Sequence, residues 1–317
     1  MIAWWVGLWD RQEDARSLAL LRIVLGGVIL SDLLQIGQLG LVSTLYAPTE
    51  GGGLSMVLHR EQVPWLYALL PPTATAGLVA YGLTLGAAVL WTVGLATPLA
   101  ALLLAAMLTQ LALAMPAADR GIDILIRNIV VIMAFSQSHR IWSLDAWLWR
   151  RDAVRQIPSW PRYVVVIQLV LVYGFAGLSK VSTAWMPVGH FSALYTAMHD
   201  PSVARLPAAW LPTLFPVTQL LTASTWVWEL SAPVILLGLY FHDTRTRPGR
   251  IRAAFNRLQL LRLYVLIGAM FHIGTALTFN LGIFPWAMLA LYPAFLHPDQ
   301  WPRWATGSRP LPPSPAR

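Results

Sequence analysis

The stretch 161-PRYVVVIQLVLVYGFAGLSKVSTAW-185 decides the fold. It is apolar apart from Arg162 and Lys180, and it has the roughly 20 residues that a helix needs to cross a bilayer. Lys180 is the single lysine among 22 Lys and Arg, so the other 21 are Arg. An ammonium group at bilayer depth costs on the order of 3 kcal/mol or more unless it is paired or reaches the interface. Desolvation also makes an amine a usable base near neutral pH. Lys180 is therefore the first candidate for a catalytic group, the alternative being a lysine that snorkels outward from a helix end.

Outward from this segment the same pattern recurs. The 317 residues are 57% hydrophobic and only 11% charged, with mean hydropathy +0.59, which excludes an ordinary soluble domain. Apolar segments at about 17–40, 73–95, 97–115, 122–138, 161–183, 215–240, 258–279 and 282–296 predict an all-α polytopic membrane protein. The bundle has about eight transmembrane helices plus interfacial helices, the fourth and last spans being short. Residues 1–16 read as an interfacial segment rather than a signal peptide, 17–303 as the transmembrane domain and the Pro-rich 304–317 as a disordered tail. Trp4, Trp5, Trp185 and Trp301 at segment ends suit an aromatic belt in contact with membrane lipid.

Arginine placement predicts orientation. With both termini in the cytoplasm, the inner segments hold Arg11, Arg16, Arg140, Arg150, Arg151, Arg155 and Arg162. They also hold Arg245, Arg247, Arg250, Arg252, Arg257, Arg303, Arg309 and Arg317, whereas the outer loops hold only Arg60, Arg120 and Arg205. Topology thus explains the +8 formal charge, and no basic stripe on a soluble face calls for nucleic acid. The lack of cysteine excludes thiol catalysis and thiolate metal sites. Five histidines (His59, His190, His199, His242, His297) fall in loops or at ends and none forms an HxxxH pair, so no metal site is expected.

Helical rise places Lys180, His272, Asp32, Asp123 and Arg127 at one depth on four helices, with Asn280 near the outer mouth. Ionisable groups within a bundle face its interior and pair, so these predict one polar chamber open to the outside. Arg22, Glu229 and Arg262 fall deeper and read as structural partners. Tyr173, Gly177 and Lys180 share one helix face. Gly177 leaves a notch either for a flat ligand such as a quinone or for the close approach of another helix.

These residues resemble a known family. The stretch 168-QLVLVYGFAGLSKVSTAWMPVG is similar to the Q-x-x-x-x-Y-x-x-A-G-x-x-K motif, followed by W and G, of vitamin K-dependent γ-glutamyl carboxylase and bacterial proteins that share its HTTM domain. The segment 138-SHRIWSLDAW is similar to that family's Asn-His-aromatic-Trp-Ser-x-Asp, with one extra residue and Ser138 in place of Asn. From Phe271, FHIGTALTFNLGIFPWAMLALYPAFLHPDQWPRW resembles its Phe-His helix, Gly-x-Phe turn and Pro-x-x-Trp-Pro-Arg end, and the likeness runs from about 16 to 303.

The resemblance implies a bacterial inner-membrane enzyme that binds a reduced quinone of the vitamin K or menaquinol type. By the resemblance, Lys180 would be the base, His139 would match the histidine that assists at the quinone, and Tyr173 and Phe284 would line the quinone pocket; depth and spacing add His272 as a catalytic candidate and Gly177 and Asn280 as pocket candidates. O2 and CO2 would be co-substrates, and proton removal and carboxylation, a lyase-type chemistry, would fall on an external peptide. The family's carboxylases carry a large outer domain after the bundle, so a partner subunit supplying it is expected, or a different substrate. Simple topology sets His139 about 20 Å from Lys180. The readings from other classes are a non-catalytic accessory protein for secreted-peptide maturation and a transporter, which should show inverted symmetry and paired broken helices.

Overall fold

The computed structural model describes residues 2–56, 63–149, 156–297 and 301. The expected tail 304–317 lies outside these residues, as do His59 and Arg60, Arg150, Arg151, Arg155, Arg303, Arg309 and Arg317. The chain opens with α1 (Ile2–Asp10), β1 (Gln12–Asp14) and the long α2 (Arg16–Gln38), followed by short α3 (Val42–Tyr46) and α4 (Trp65–Leu69). A hairpin of α5 (Ala74–Val93) and α6 (Thr97–Ala114) leads to α7 (Gly121–Ala134), α8 (Leu144–Leu148), β2 (Gln156–Pro158) and α9 (Trp160–Leu178). Then come α10 (Ala193–Ala197), α11 (Leu211–Leu230), α12 (Val234–Asp243), α13 (Arg250–Arg257), α14 (Leu260–Thr278) and α15 (Phe284–Ala290).

The protein is an all-α, membrane-embedded, multi-pass bundle, but the expected count of eight spans is not confirmed. Among the described residues, five helices are long and apolar enough to cross a membrane: α2, α5, α6, α9 and α14. A sixth span is counted if α11 and α12 are taken together, although they meet at 57°. Pro233 follows directly on the break and cannot supply the amide a continuous helix needs there. The fourth segment yields only the 14 residues of α7, and the last yields the 7 of α15 with a 3-10 turn after it.

Local chemistry sets the helix ends. Thr73 caps α5 by accepting the Ala76 amide at 3.2 Å, and Gly94 ends it with φ +75°, a conformation that favours glycine. Asp145 on α8 caps the next helix from outside: it accepts the amides of Ala96 (2.8 Å) and Thr97 (2.9 Å) and the Thr97 hydroxyl (2.9 Å). Burial raises the Asp145 pKa, but these bonds outweigh it and hold the carboxyl below its ordinary 3.8.

A three-residue antiparallel ribbon, β1 with β2, interrupts the helical pattern and pairs Glu13 with Ile157. It brings Glu13 to the fully buried Arg162, which donates Nε and Nη2 to the carboxylate at 2.7 and 2.8 Å and Nη1 to the Ala294 carbonyl at 3.1 Å. Arg22, also fully buried, meets no such carboxylate among the described residues: it donates to the carbonyls of Trp91 (3.0 Å), Thr92 (2.8 Å) and Trp142 (2.5 Å). A close-packed core of α2, α5, α6 and α7 surrounds it, with Leu21, Leu25, Trp91, Leu104 and Ile129 sealed from solvent.

Removing one partner of the Glu13–Arg162 pair leaves a buried charge, so Arg162→Met should cost about 3–5 kcal/mol while Glu13→Leu with Arg162→Met costs less. Thermal unfolding in detergent, read by circular dichroism, compares them. Because the folded Asp145 pKa is lowered, its contribution is present above the unfolded value of 3.8 and is lost as pH falls through the folded value. Asp145→Ala should therefore destabilise by about 1–2 kcal/mol near neutral pH and by much less in acid; unfolding midpoints across pH check this.

Candidate functional site

The expected span 161–183 stops short: α9 ends at Leu178, and Lys180 occupies the turn just beyond it. At that position an ammonium meets the unsatisfied carbonyls of a helix C-terminus, which carry partial negative charge. Lys180 Nζ donates to the Ala176 carbonyl at 3.2 Å and to Glu229 Oε2 on α11 at 2.5 Å, and it lies 4.8 Å from the centre of the Trp185 ring. The lysine side chain is 17% exposed and the glutamate 6%, so the pair is largely screened from water.

Glu229 is the partner of Lys180 that sequence reasoning assigned elsewhere. Counting rise along one straight helix over 215–240 set it deeper than Lys180. The helix instead runs from 211 to 230 and breaks, and its C-terminal end lies against α9. The notch at Gly177 admits that helix: a Cβ there would sit 2.9 Å from the Leu230 amide nitrogen and 3.1 Å from Glu229 Cβ. Trp226 Nε1 donates to the Gly177 carbonyl at 3.2 Å. Of the two openings for this glycine, helix approach is the one observed, and the notch itself has no room for a flat ligand.

Tyr173, two turns before Lys180, lies within the bundle. Its hydroxyl is 2.8 Å from His272 Nε2 on α14 and 3.1 Å from the Tyr292 hydroxyl. His272 is fully buried, and its Nδ1 has no hydrogen-bond partner among the described residues. Phe284 stands edge-on to the His272 ring at 5.8 Å, and on the other side Trp228 stands edge-on to Tyr173 at 4.6 Å. An aromatic row therefore runs from Phe284 through His272 and Tyr173 to Trp228, the residue beside Glu229. Phe284 and Asn280 also border an open, mainly apolar groove of about 750 Å³ between α7, α9 and α15, to which Ile122, Leu125, Val172 and Met288 contribute. Lys180 does not line it.

The single polar chamber expected from depth does not form. Asp32 and Asp123 both bind Arg120, at 2.7 and 2.8 Å, and Arg127 forms a two-bond pair with Asp119 at 2.7 and 2.9 Å. These groups border a separate cavity of about 200 Å³ between α2, α3, α6 and α7. Equal depth did not bring them to Lys180, because each charge found a partner on its own side of the bundle. Asn280 accepts from Arg205 at 3.3 Å at the mouth of the groove. His139 lies past the far end of α7, where its carbonyl accepts the Ser143 hydroxyl at 2.5 Å. Leu125, near the start of α7, and Val172, late in α9, border the same groove, so the two helices run in opposite directions and His139 sits at the opposite end of the bundle from Lys180.

Residues 10–301 match the HTTM domain. The chain belongs to the HTTM-domain family. The HTTM domain is found in vitamin K-dependent carboxylase and related proteins, and the match here takes in every helix from α2 to α15. No solved structure matches the chain. Within this HTTM domain the Lys180–Glu229 pair and the His272–Tyr173–Tyr292 chain together hold ionisable and hydrogen-bonding groups that can pass or store a proton away from bulk water.

Gly177→Val should force α9 and α11 apart and cost about 1–3 kcal/mol of stability. It should also loosen Lys180 from Glu229, which solid-state NMR of the lysine ammonium would register as a changed chemical shift.

Proposed function

We propose that this HTTM protein is an integral-membrane, quinol-dependent enzyme of the carboxylase-like kind, with Lys180 and Glu229 acting together as the group that takes up the proton. The observation that carries this reading is the 2.5 Å contact between the chain's single lysine and a buried glutamate at the end of the aromatic row. The fit of a quinone rests on two features. The groove beside Phe284 and Asn280 is apolar and large enough for a ring system, and small-molecule sites are commonly clefts of roughly 300–1,000 Å³. Behind Phe284, the His272 Nδ1 is a buried polar atom that lacks a protein partner and suits a ring oxygen.

When bound, a reduced quinone supplies the electrons with which O2 becomes the base that removes a glutamyl γ-proton before CO2 adds. Phe284 and Met288 would provide the apolar wall and Asn280 and Arg120 the polar atoms at the groove itself, with His272 behind Phe284. Tyr173 fixes the His272 ring through Nε2 and so sets which state of Nδ1 faces a ligand. Glu229 holds Lys180 in place and gives a proton a second resting position, so the pair can accept one and later release it. His139, at the far end of the bundle, takes no part in this scheme. The arginine asymmetry supports a bacterial inner-membrane location with both termini in the cytoplasm.

A second reading has one observation in its favour: the same ion pair ties α9 to α11, as it would in a non-catalytic accessory protein. The two differ at Lys180→Arg, since arginine keeps the charge and cannot act as a base. Purified protein in nanodiscs should bind reduced menaquinone saturably, with about tenfold weaker binding for Phe284→Ala and Tyr173→Ala. Lys180→Arg should bind it and lose turnover. An absence of saturable binding by the unmodified protein would sink the quinol reading, and undiminished function in Lys180→Arg would leave the structural one.

A further inference from the structure

The cavity between α2, α3, α6 and α7 takes no part in the quinol chemistry. Among the described residues that line it, the carboxylates of Asp32, Asp119 and Asp123 face the guanidiniums of Arg120 and Arg127, which leaves one negative charge over. Arg127 and Asp119 satisfy each other through two bonds. Arg120 is shared. It holds Asp123 through Nε and Nη2 at 2.8 and 3.0 Å and Asp32 Oδ2 at 2.7 Å, but its contact with Asp32 Oδ1 is stretched to 3.4 Å. A carboxylate offers about four lone-pair sites, so Asp32 is the least satisfied of the three.

Tyr46, at the end of α3, points the same way. It lines the cavity, is only 6% exposed, and its hydroxyl makes no hydrogen bond among the described residues. A buried phenol ordinarily finds a partner. The residue is pinned there by its backbone. The Tyr67 hydroxyl donates to the Tyr46 carbonyl at 3.1 Å, and α5 comes so close at Gly77 that a Cβ would be 2.7 Å from the same oxygen. Burial, with Asp32 and Asp123 adding to it, pushes the Tyr46 hydroxyl up to about 12 against the opposing pull of Arg120, so it stays neutral. A neutral phenol and an under-used carboxylate thus border one cavity, and both can accept a hydrogen bond.

We propose that this cavity binds a primary ammonium on a short apolar stem, with Asp32 and the Tyr46 hydroxyl as its ligands. The surplus negative charge selects a cation. Among the described residues no group of three or more His, Asp or Glu could hold a metal ion, and Tyr46 is the one aromatic in the lining, which gives no cage for a quaternary ammonium. A primary ammonium brings three donors and no acceptor, the complement of what Asp32 and Tyr46 offer. Ile29, Leu33 and Ile126 are buried apolar walls for the stem. The volume of about 200 Å³ fits a small group, since a cavity of about 150 Å³ takes benzene. The Arg120 side chain, 40% exposed, marks the way in. Arg120 also borders the groove beside Phe284, but ammonium binding here requires no quinol there.

The test titrates the full-length protein with n-butylamine near neutral pH in phosphatidylcholine nanodiscs, which carry no primary amine. Saturation-transfer NMR, corrected with empty nanodiscs, reads the binding. Asp32→Asn and Tyr46→Phe should each weaken saturable binding about tenfold. Asp200→Asn removes an exposed loop carboxylate outside the cavity and should leave binding within about twofold of the unmodified protein. n-Butanol, with the same stem and no charge, should bind about tenfold more weakly or worse. Equal thermal midpoints without ligand confirm that the variants fold. Tyr46→Phe removes a hydroxyl with no partner among the described residues, so it carries the comparison if Asp32→Asn unfolds. Lysine as its Nα-acetyl methylamide separates the two sources of such an ammonium: binding equal to that of n-butylamine assigns a peptide side chain, and much weaker binding a free amine. Absence of saturable n-butylamine binding, equal binding of n-butanol or butyrate, or unchanged binding in Tyr46→Phe would overturn the site.

Discussion

A guanidinium sealed from water between Glu13 and the Ala294 carbonyl joins three parts of the chain that are far apart in sequence. It ties the β1–β2 ribbon and the start of α9 to the turn after α15, and beside it Asp243 gathers Arg11, Tyr163 and His297 from the same three regions. A charge in that position is tolerable only when its donors are matched in direction as well as in number. Arg22 meets the same constraint differently, through carbonyl dipoles exposed where α5 ends and the 3-10 turn before Trp142 closes. Both arginines thus convert irregular backbone, which lipid would reject, into satisfied structure.

Lys180 obeys this rule too, with a difference that bears on function. Its partners are a helix C-terminus and one carboxylate, and it keeps some access to solvent. The end of α9 and the end of α11, each a place where helical hydrogen bonding stops, supply the geometry. A side chain at two helix ends can exchange partners without unpacking the core, whereas Arg162, enclosed on every side, cannot. The aromatic row runs from Phe284, on the edge of the groove, to Trp228, the chain neighbour of Glu229.

Charge is laid out along the bundle in the same spirit. At the end where α7 begins, Asp32, Asp119 and Asp123 balance Arg120 and Arg127 in close pairs. At the end where α14 begins, Asp243 in turn gathers Arg11, His297 and the Tyr163 hydroxyl.

The sequence by itself determined that the chain crosses a membrane repeatedly, where most helices lie, and that Lys180 has to be accounted for. Those follow from hydropathy and length, which are properties of a single segment. The HTTM match agrees with the likeness visible around Tyr173, Gly177 and Lys180. Tertiary structure decided the rest: that Glu229 meets Lys180, that Asp32 and Asp123 turn to Arg120, that Gly177 admits a helix, and that His139 lies at the far end. Depth along a helix can be counted from sequence, but the face it presents depends on tilt, rotation and breaks such as the one before Pro233. Those are fixed by packing against other helices, and no single segment contains that information.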